Sequence, residues 1–389
     1  MKKKLSTFKK ELIAMFFLVL IGVGLPILLT FEKTTYIEIN SDQDLMKHSD
    51  SGQGTSDDPY VIENRYIVDQ GKIAISIKDT TSYLIIRNCY FANNFFYGLH
   101  LENVAEGTVQ TDNITCFSHS RAGIGIFSSN RVNVTNSILF QNNAGIIISN
   151  SNYTNLVDNY ISVAFPALDQ NTPKYDGIVV DNSTNVAIIS NTIEKNARAI
   201  LLENSNDCLI SSNILNKVTH ISFSLDSSSN CILFNNSVTR YSFYSFKLAD
   251  SHYNIIENNT ITDTEKAVYL SESNNNIVRF NSLYLNGVGI EDFSSSSNNI
   301  CFNLFRNNTG YGIDLSGSNY FSIHHNSFFF NNFGSSSQSF DNGQNNLWYD
   351  AVLLEGNYWN DYNETGYYQI SGNANSTDLY PLADYSSYT

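Results

Sequence analysis

The chain is short of charge, of proline and of sulfur. Charged residues make up 15% of its 389 positions, against roughly 25% in an average soluble domain. Five prolines and 21 glycines exclude collagen and proline-rich linkers. Basic residues number 22 against 37 acidic ones, for a net charge of −15. No basic cluster follows the first ten residues, which argues against a nucleic-acid partner. There is no CXXC motif, phosphate loop or Ser/His/Asp triad. Asparagine and serine fill the gap, beside a hydrophobic share of 42% that is too high for a disordered polyelectrolyte.

Lys2, Lys3, Lys4, Lys9 and Lys10 precede an uncharged run over residues 12–31. Those 20 residues are enough to span a bilayer as a helix. The lysines favour a cytoplasmic N-terminus. A cleaved signal peptide is the competing reading, although no small-X-small site follows the run. The expected organisation is a basic cytoplasmic tail (1–11), a transmembrane anchor or signal (12–31), an N-terminal cap (32–71), a repeat body (72–335) and a C-terminal cap (336–389). Either way the bulk of the chain is exported, as a single-pass ectodomain at the cell membrane or as a secreted protein. Export makes the sequons at Asn113, Asn133, Asn152, Asn182, Asn235, Asn258, Asn307, Asn363 and Asn375 candidate glycosylation sites. Five cysteines leave at least one thiol unpaired within the chain.

The informative signal is self-similarity. Asn136, Asn159, Asn191, Asn213, Asn236, Asn259, Asn281, Asn303 and Asn326 recur every 22 or 23 residues, with one insertion over about 162–176. Fourteen positions before the last eight of them stand Gly145, Gly177, Ala199, Ser222, Ser245, Ala267, Gly289 and Gly312, all small. The next column, Ile146, Ile178, Ile200, Phe223, Phe246, Val268, Ile290 and Ile313, is wholly apolar. Apolar residues alternate over two to four positions, which is strand period, and the runs are rich in Ile, Val and Phe. Helical solenoids need longer units. The spacing predicts an all-β parallel β-helix of about 11 coils, each strand lying about 4.8 Å from its equivalent one coil on. Stacking like on like keeps each column to one type. The asparagines are expected to form a hydrogen-bonded structural ladder.

The coil from Gly177 through Asn191 to Ile193 closely resembles the right-handed parallel β-helix repeat family, and in particular archaeal NosD-like surface proteins. Gly52, Gly54, Thr55 and Asp58-Pro59-Tyr60-Val61-Ile62-Glu63 resemble the entry to that family's first coil. Gly356-Asn357-Tyr358-Trp359-Asn360-Asp361-Tyr362, followed by Asp378, Tyr380, Pro381 and Leu382, resembles its exit. The resemblance spans roughly 50–382. It implies a right-handed single-stranded helix, and it is weak on activity, because this fold hosts lyases, hydrolases and proteins without chemistry.

In such a stack, sites lie in columns. Asp181, Glu203 and Asp226 occupy one column in consecutive coils. Adjacent carboxylates about 5 Å apart repel by roughly 1–3 kcal/mol, which a cation relieves, and oxygen-only ligands favour Ca²⁺. Asp169 and Asp176 border the insertion. Arg198, one coil beyond Asp176, is either its ion-pair partner or, by analogy with pectate lyases of this fold, a base. The resemblance raises copper, whose soft sites want sulfur and imidazole. Cys301 and His324 share a column in adjacent coils, with no third partner evident, and strand alternation sends His325 to the opposite face. Cys208 and Cys231, one coil apart, form either a disulfide or stacked buried thiols. Tyr241, Phe243, Tyr244, Tyr284, Phe329 and Phe330 gather near one edge, where aromatic rings pack or stack on sugars. The leading expectation is an anchored extracellular β-helix that binds carbohydrate or other cell-envelope components. The alternatives are a polyuronide lyase or hydrolase and a copper-binding maturation factor.

Overall fold

The computed structural model describes residues 32–33, 35–69, 71–94, 96–104, 109–162, 175–240, 242–363 and 365–384. The expected basic tail and anchor, most of the insertion with Asp169, and Tyr241 lie outside the described residues. Among the described residues no helix is long and apolar enough to cross a membrane.

One coil shows how the repeat folds. Asp176–Asp181 is a strand of six residues, and Ala187–Ile189 and Thr192–Glu194 are strands of three. Each short strand buries its middle residue alone, Ile188 and Ile193, as period-2 alternation requires. Every strand pairs in parallel with its equivalent one coil on: Ile178 with Ile200, Ile188 with Ile210, Ile193 with Leu215. Residues 22 apart in sequence are thus neighbours in space. The long strands build a parallel sheet of 13 strands, 11 of them within residues 72–335. The short strands build two further faces. These are joined where Leu84–Ala92 and Val109–Phe117, nine residues each, run past the corner between them.

The corners explain the asparagine and serine content. Asn182, Asn185, Ser190 and Lys195 of this coil have φ of 44°, 55°, 56° and 60°. A left-handed residue is costly for most side chains, and short polar ones tolerate it best by bonding the local backbone. Each such corner turns the following side chain inward, so Ser183, Val186, Asn191 and Asn196 are all buried.

The columns Ile146 to Ile313 and Leu156 to Ile323 line the inside, with no exposure at any coil. Burial of each such side chain is worth roughly 1.5–3 kcal/mol. The small column follows from crowding between faces. A Cβ on Gly289 would stand 2.4 Å from the Gly312 carbonyl oxygen and 2.6 Å from Phe305 Cδ1. The phenylalanines of the facing short strands, Phe305 and Phe328, thus stand against Gly289 and Gly312.

Pairing continues into both end segments. In residues 32–71, Ile37–Ile39 pairs with the long strand Ile75–Thr80, and Tyr60–Glu63 and Arg65–Val68 pair with Leu84–Ala92. The helix Asp42–His48, capped by Ser41, buries Leu45. At the other end Ser339–Asp341 extends the long-strand sheet. Trp359 stacks between Phe328 and Tyr368, with ring centroids 4.1 and 4.0 Å away. Trp348 and Trp359 are fully buried, so aromatic bulk closes the C-terminal end of the apolar interior.

Candidate functional site

The ladder is the structural spine. Asn191 Oδ1 accepts from the Asn159 backbone N–H at 3.0 Å and from Asn159 Nδ2 at 2.9 Å. Asn191 Nδ2 donates to the Leu156 carbonyl at 2.9 Å and to Asn213 Oδ1 at 3.1 Å. The same rung repeats through Asn236, Asn259, Asn281, Asn303 and Asn326, and then through Asn357. Asn136 departs from the expected ladder. It is exposed at φ 48° and donates to Asp112 Oδ1, while Ser137 takes the rung by donating its N–H to Asn159 Oδ1 at 3.0 Å. Val134 pairs with Leu156, an offset of 22, so the 23-residue gap from Asn136 to Asn159 leaves Asn136 one place early, on the corner. A second ladder of serines runs from Ser129 through Ser151, Ser183, Ser205, Ser228, Ser251 and Ser273 to Ser295.

Asp181, Glu203 and Asp226 do pair in register on the long-strand sheet. Among the described residues they do not gather into a group whose ligand atoms all lie within 4.8 Å of one another. Asp181 accepts from Ser149 Oγ at 3.1 Å, and Glu203 and Asp226 are exposed. Like charges at the rim of a sheet turn toward water, where repulsion is screened. Arg198 is held in a two-pronged ion pair, Nε and Nη2 each 2.8 Å from the carboxylate of Asp176, so it is engaged rather than poised as a base. Cys208 and Cys231 are free, buried thiols rather than a disulfide. Parallel neighbours point side by side, a poor approach for S–S bonding, and the thiols donate to the Asn206 and Ser229 carbonyls. Cys301 pairs with His324 across adjacent strands and is buried, which pushes its thiol up to about 11.

The outward face of the long-strand sheet carries two clusters of chemistry-bearing residues. In the C-terminal half, Lys266 Nζ sits 2.6 Å from Glu291 Oε2, and 5.4 and 5.1 Å from the ring centroids of Tyr244 and Tyr269. Burial works against the Lys266 charge, but the Glu291 carboxylate outweighs it and holds the ammonium above the usual lysine range. Asp314 lies one coil further, its pKa raised by burial and by Glu291. Lys247 stands one strand before, 5.8 Å from the Tyr244 ring. Phe243 flanks the cluster and is 45% exposed.

In the N-terminal half, the Tyr97 and His100 rings lie 5.2 Å apart, with the Arg121 guanidinium 5.5 Å from the Tyr97 ring. Burial keeps His100 neutral by lowering its pKa and raises that of Tyr97.

Residues 47–174 match the right-handed beta helix region, and residues 168–310 match the periplasmic copper-binding protein (NosD) family. Over those two stretches the chain is similar to these families, and its fold is a right-handed parallel β-helix. No curated protein matches it. Among solved structures, it resembles the alginate lyase AlyF-OU02 bound to G6 at 11% identity and TM-score 0.50, over 84% of this chain and 91% of that one. It resembles PfbA, a surface adhesin of Streptococcus pneumoniae, at 13% identity and TM-score 0.49, over 67% and 82%. The A-module of the Azotobacter vinelandii mannuronan C-5 epimerase AlgE4 follows at 13% identity and TM-score 0.48, over 76% and 81%. Such likeness speaks to the path of the chain alone.

Sequence spacing missed the partners of His324. His325 does not obey strand alternation, because it occupies a corner at φ 56°. Its Nδ1 lies 2.7 Å from His324 Nδ1, and Asp350 completes a group whose ligand atoms all lie within 4.8 Å of one another. Cys301 is not in that group. Of the expected aromatics, Tyr244 joins the Lys266 cluster, while Tyr284 and Phe329 lie half-buried on short strands and Phe330 is exposed.

Proposed function

We propose that this protein binds carbohydrate along the outward face of its long-strand sheet. The observation that carries the reading is the Lys266 ammonium set against the Tyr244 and Tyr269 rings with Glu291 on its charge. Ring faces take the apolar face of a sugar, and a fixed ammonium and carboxylates take its hydroxyls or acid groups. Stacked coils repeat along an axis at about 4.8 Å, which suits an extended polymer better than a compact ligand. The basic segment and uncharged run at residues 1–31 support display outside the membrane, against cell-envelope glycans.

A second reading makes the protein a polyuronide lyase. Tyr97, His100 and Arg121 favour it: a neutral imidazole serves as a base, a protonated phenol as an acid, and a guanidinium as a partner for the uronate. That an alginate lyase follows a similar chain path makes acidic polysaccharides the first class to try.

A glycan array probed with the full chain, with calcium and with chelator, tests both readings. Binding that weakens about tenfold in Lys266→Ala and in Tyr269→Ala supports the first. A chain that binds no glycan on the array, or binding untouched by both substitutions, overturns it. Ultraviolet absorbance from unsaturated products on a polyuronide panel, lost in His100→Ala, supports the second reading, and its absence in the wild type removes it.

A further inference from the structure

The last coils bring together side chains that strand alternation would separate. His324 ends the strand Ser322–His324, and the left-handed backbone of His325 swings the next ring back beside it. The segment after Trp348 folds over this pair, held by the Asp350 N–H donating to the Glu355 carbonyl at 2.8 Å. Asp350 Oδ1 accepts from the N–H groups of Val352 and Leu353, which fixes the carboxylate in place. Glu355 Oε2 lies 2.7 Å from His325 Nε2.

We propose that His324, His325 and Asp350 form a three-ligand site for a borderline divalent metal, with zinc the ion that fits. Glu355 holds the proton on His325 Nε2, so the lone pair sits on Nδ1 and faces His324 Nδ1. A carboxylate behind a ligating imidazole is the usual support of a metal-bound histidine. Two nitrogens and one oxygen match zinc with a fourth position open, whereas calcium and magnesium want oxygen alone. The set holds no sulfur, which disfavours cuprous copper. Nitrogens on tetrahedral zinc stand about 3.3 Å apart, so the rings need to part by well under an ångström from 2.7 Å. Phe302 stacks on His325 at 4.8 Å and walls off one side. The site lies beyond residue 310, where the NosD match ends, so that match does not include it. A bound ion would clasp the segment around Asp350 onto the final coils.

The test uses the full chain without a polyhistidine tag, stripped with chelator, loaded with zinc and dialysed. The expected result is one equivalent of zinc retained, with a raised Tm. Cobalt in its place should give the visible absorption of a tetrahedral nitrogen–oxygen set. His324→Gln and Asp350→Asn should abolish retention, and Glu355→Gln should weaken it about 10- to 100-fold while leaving the Tm of the stripped chain unchanged. A folded wild type that retains no zinc overturns the proposal, as does retention untouched by all three substitutions. Should one variant fail to fold, the remaining two decide by the same readout.

Discussion

Asn357 hands the ladder to Asp378: its backbone N–H donates to Asp378 Oδ2 at 2.7 Å, and that oxygen also accepts from the Trp359 indole at 2.9 Å. Asp378 is fully buried, which raises its pKa. One carboxylate thus ends the file of asparagines and fixes the aromatic plug. Asp378→Ala leaves two buried donors without acceptors, at about 1–3 kcal/mol each. It is expected to lower the urea midpoint substantially, and Asp378→Asn, which keeps one acceptor oxygen, less so. A chain with Asp378→Ala that unfolds together with the wild type would show that the ladder needs no terminal acceptor.

The register of the ladder makes its own prediction. Asn259 Oδ1 accepts from Asn236 N and Nδ2, and its Nδ2 donates to the Leu233 carbonyl. Asn259→Ala strands several buried groups and should cost about 1–3 kcal/mol for each left without a partner. Asn136→Gly should be nearly neutral, because Asn136 is exposed and glycine accepts its positive φ. Chemical denaturation of the two variants decides. Equal losses would put Asn136 back on the ladder.

The thiols are open to a count. All five cysteines are buried and free. Burial pushes Cys89 up to about 12 and Cys116 well above the usual thiol range. Those two should resist alkylation in the native chain at pH 8, because the thiolate is the nucleophile. In denaturant without reductant, all five should react. A Cys208–Cys231 bond would leave three reactive thiols, which mass spectrometry distinguishes directly.

The columns at Ile146, Gly145 and Asn159 were readable because each coil is packed against two copies of itself, so selection for fit repeats the residue type. Asn136 misled because a corner and a ladder position adjoin, and asparagine suits both. His325 was out of reach for a related reason: a positive φ is invisible in an alternation argument, and only the fold shows that the ring turns back. The Lys266 cluster combines residues from the strands Tyr244–Ala249, Lys266–Ser271 and Val288–Phe293, each unremarkable alone. The columns read for sites did not include that one, although the same register predicts it.

Asp292 interrupts a column that is aliphatic from Ile148 to Leu270 and again at Leu315, before Asp341 follows in the last strand. Its neighbours in register are Leu270 and Leu315, behind Ile148, Val180, Leu202, Leu225 and Leu248 in earlier coils. Oδ1 accepts from the Ser295 N–H and the Ser318 hydroxyl, while Oδ2 is buried without a partner. Burial raises its pKa from 3.8 to about 6. A carboxyl raised in the folded state is a liability once ionised. Stability should fall as pH rises from about 4 through about 6 and then level off, since the native state binds the extra proton. Two pKa units correspond to about 3 kcal/mol. Asp292→Asn keeps an acceptor for both serines and carries no charge. The variant should therefore match the wild type near pH 4 and exceed it at pH 8, and subtracting the two curves cancels every other carboxylate. A stability difference that stays constant across that range would mean that Asp292 titrates alike in the folded and unfolded chain, and would overturn the buried-carboxyl argument.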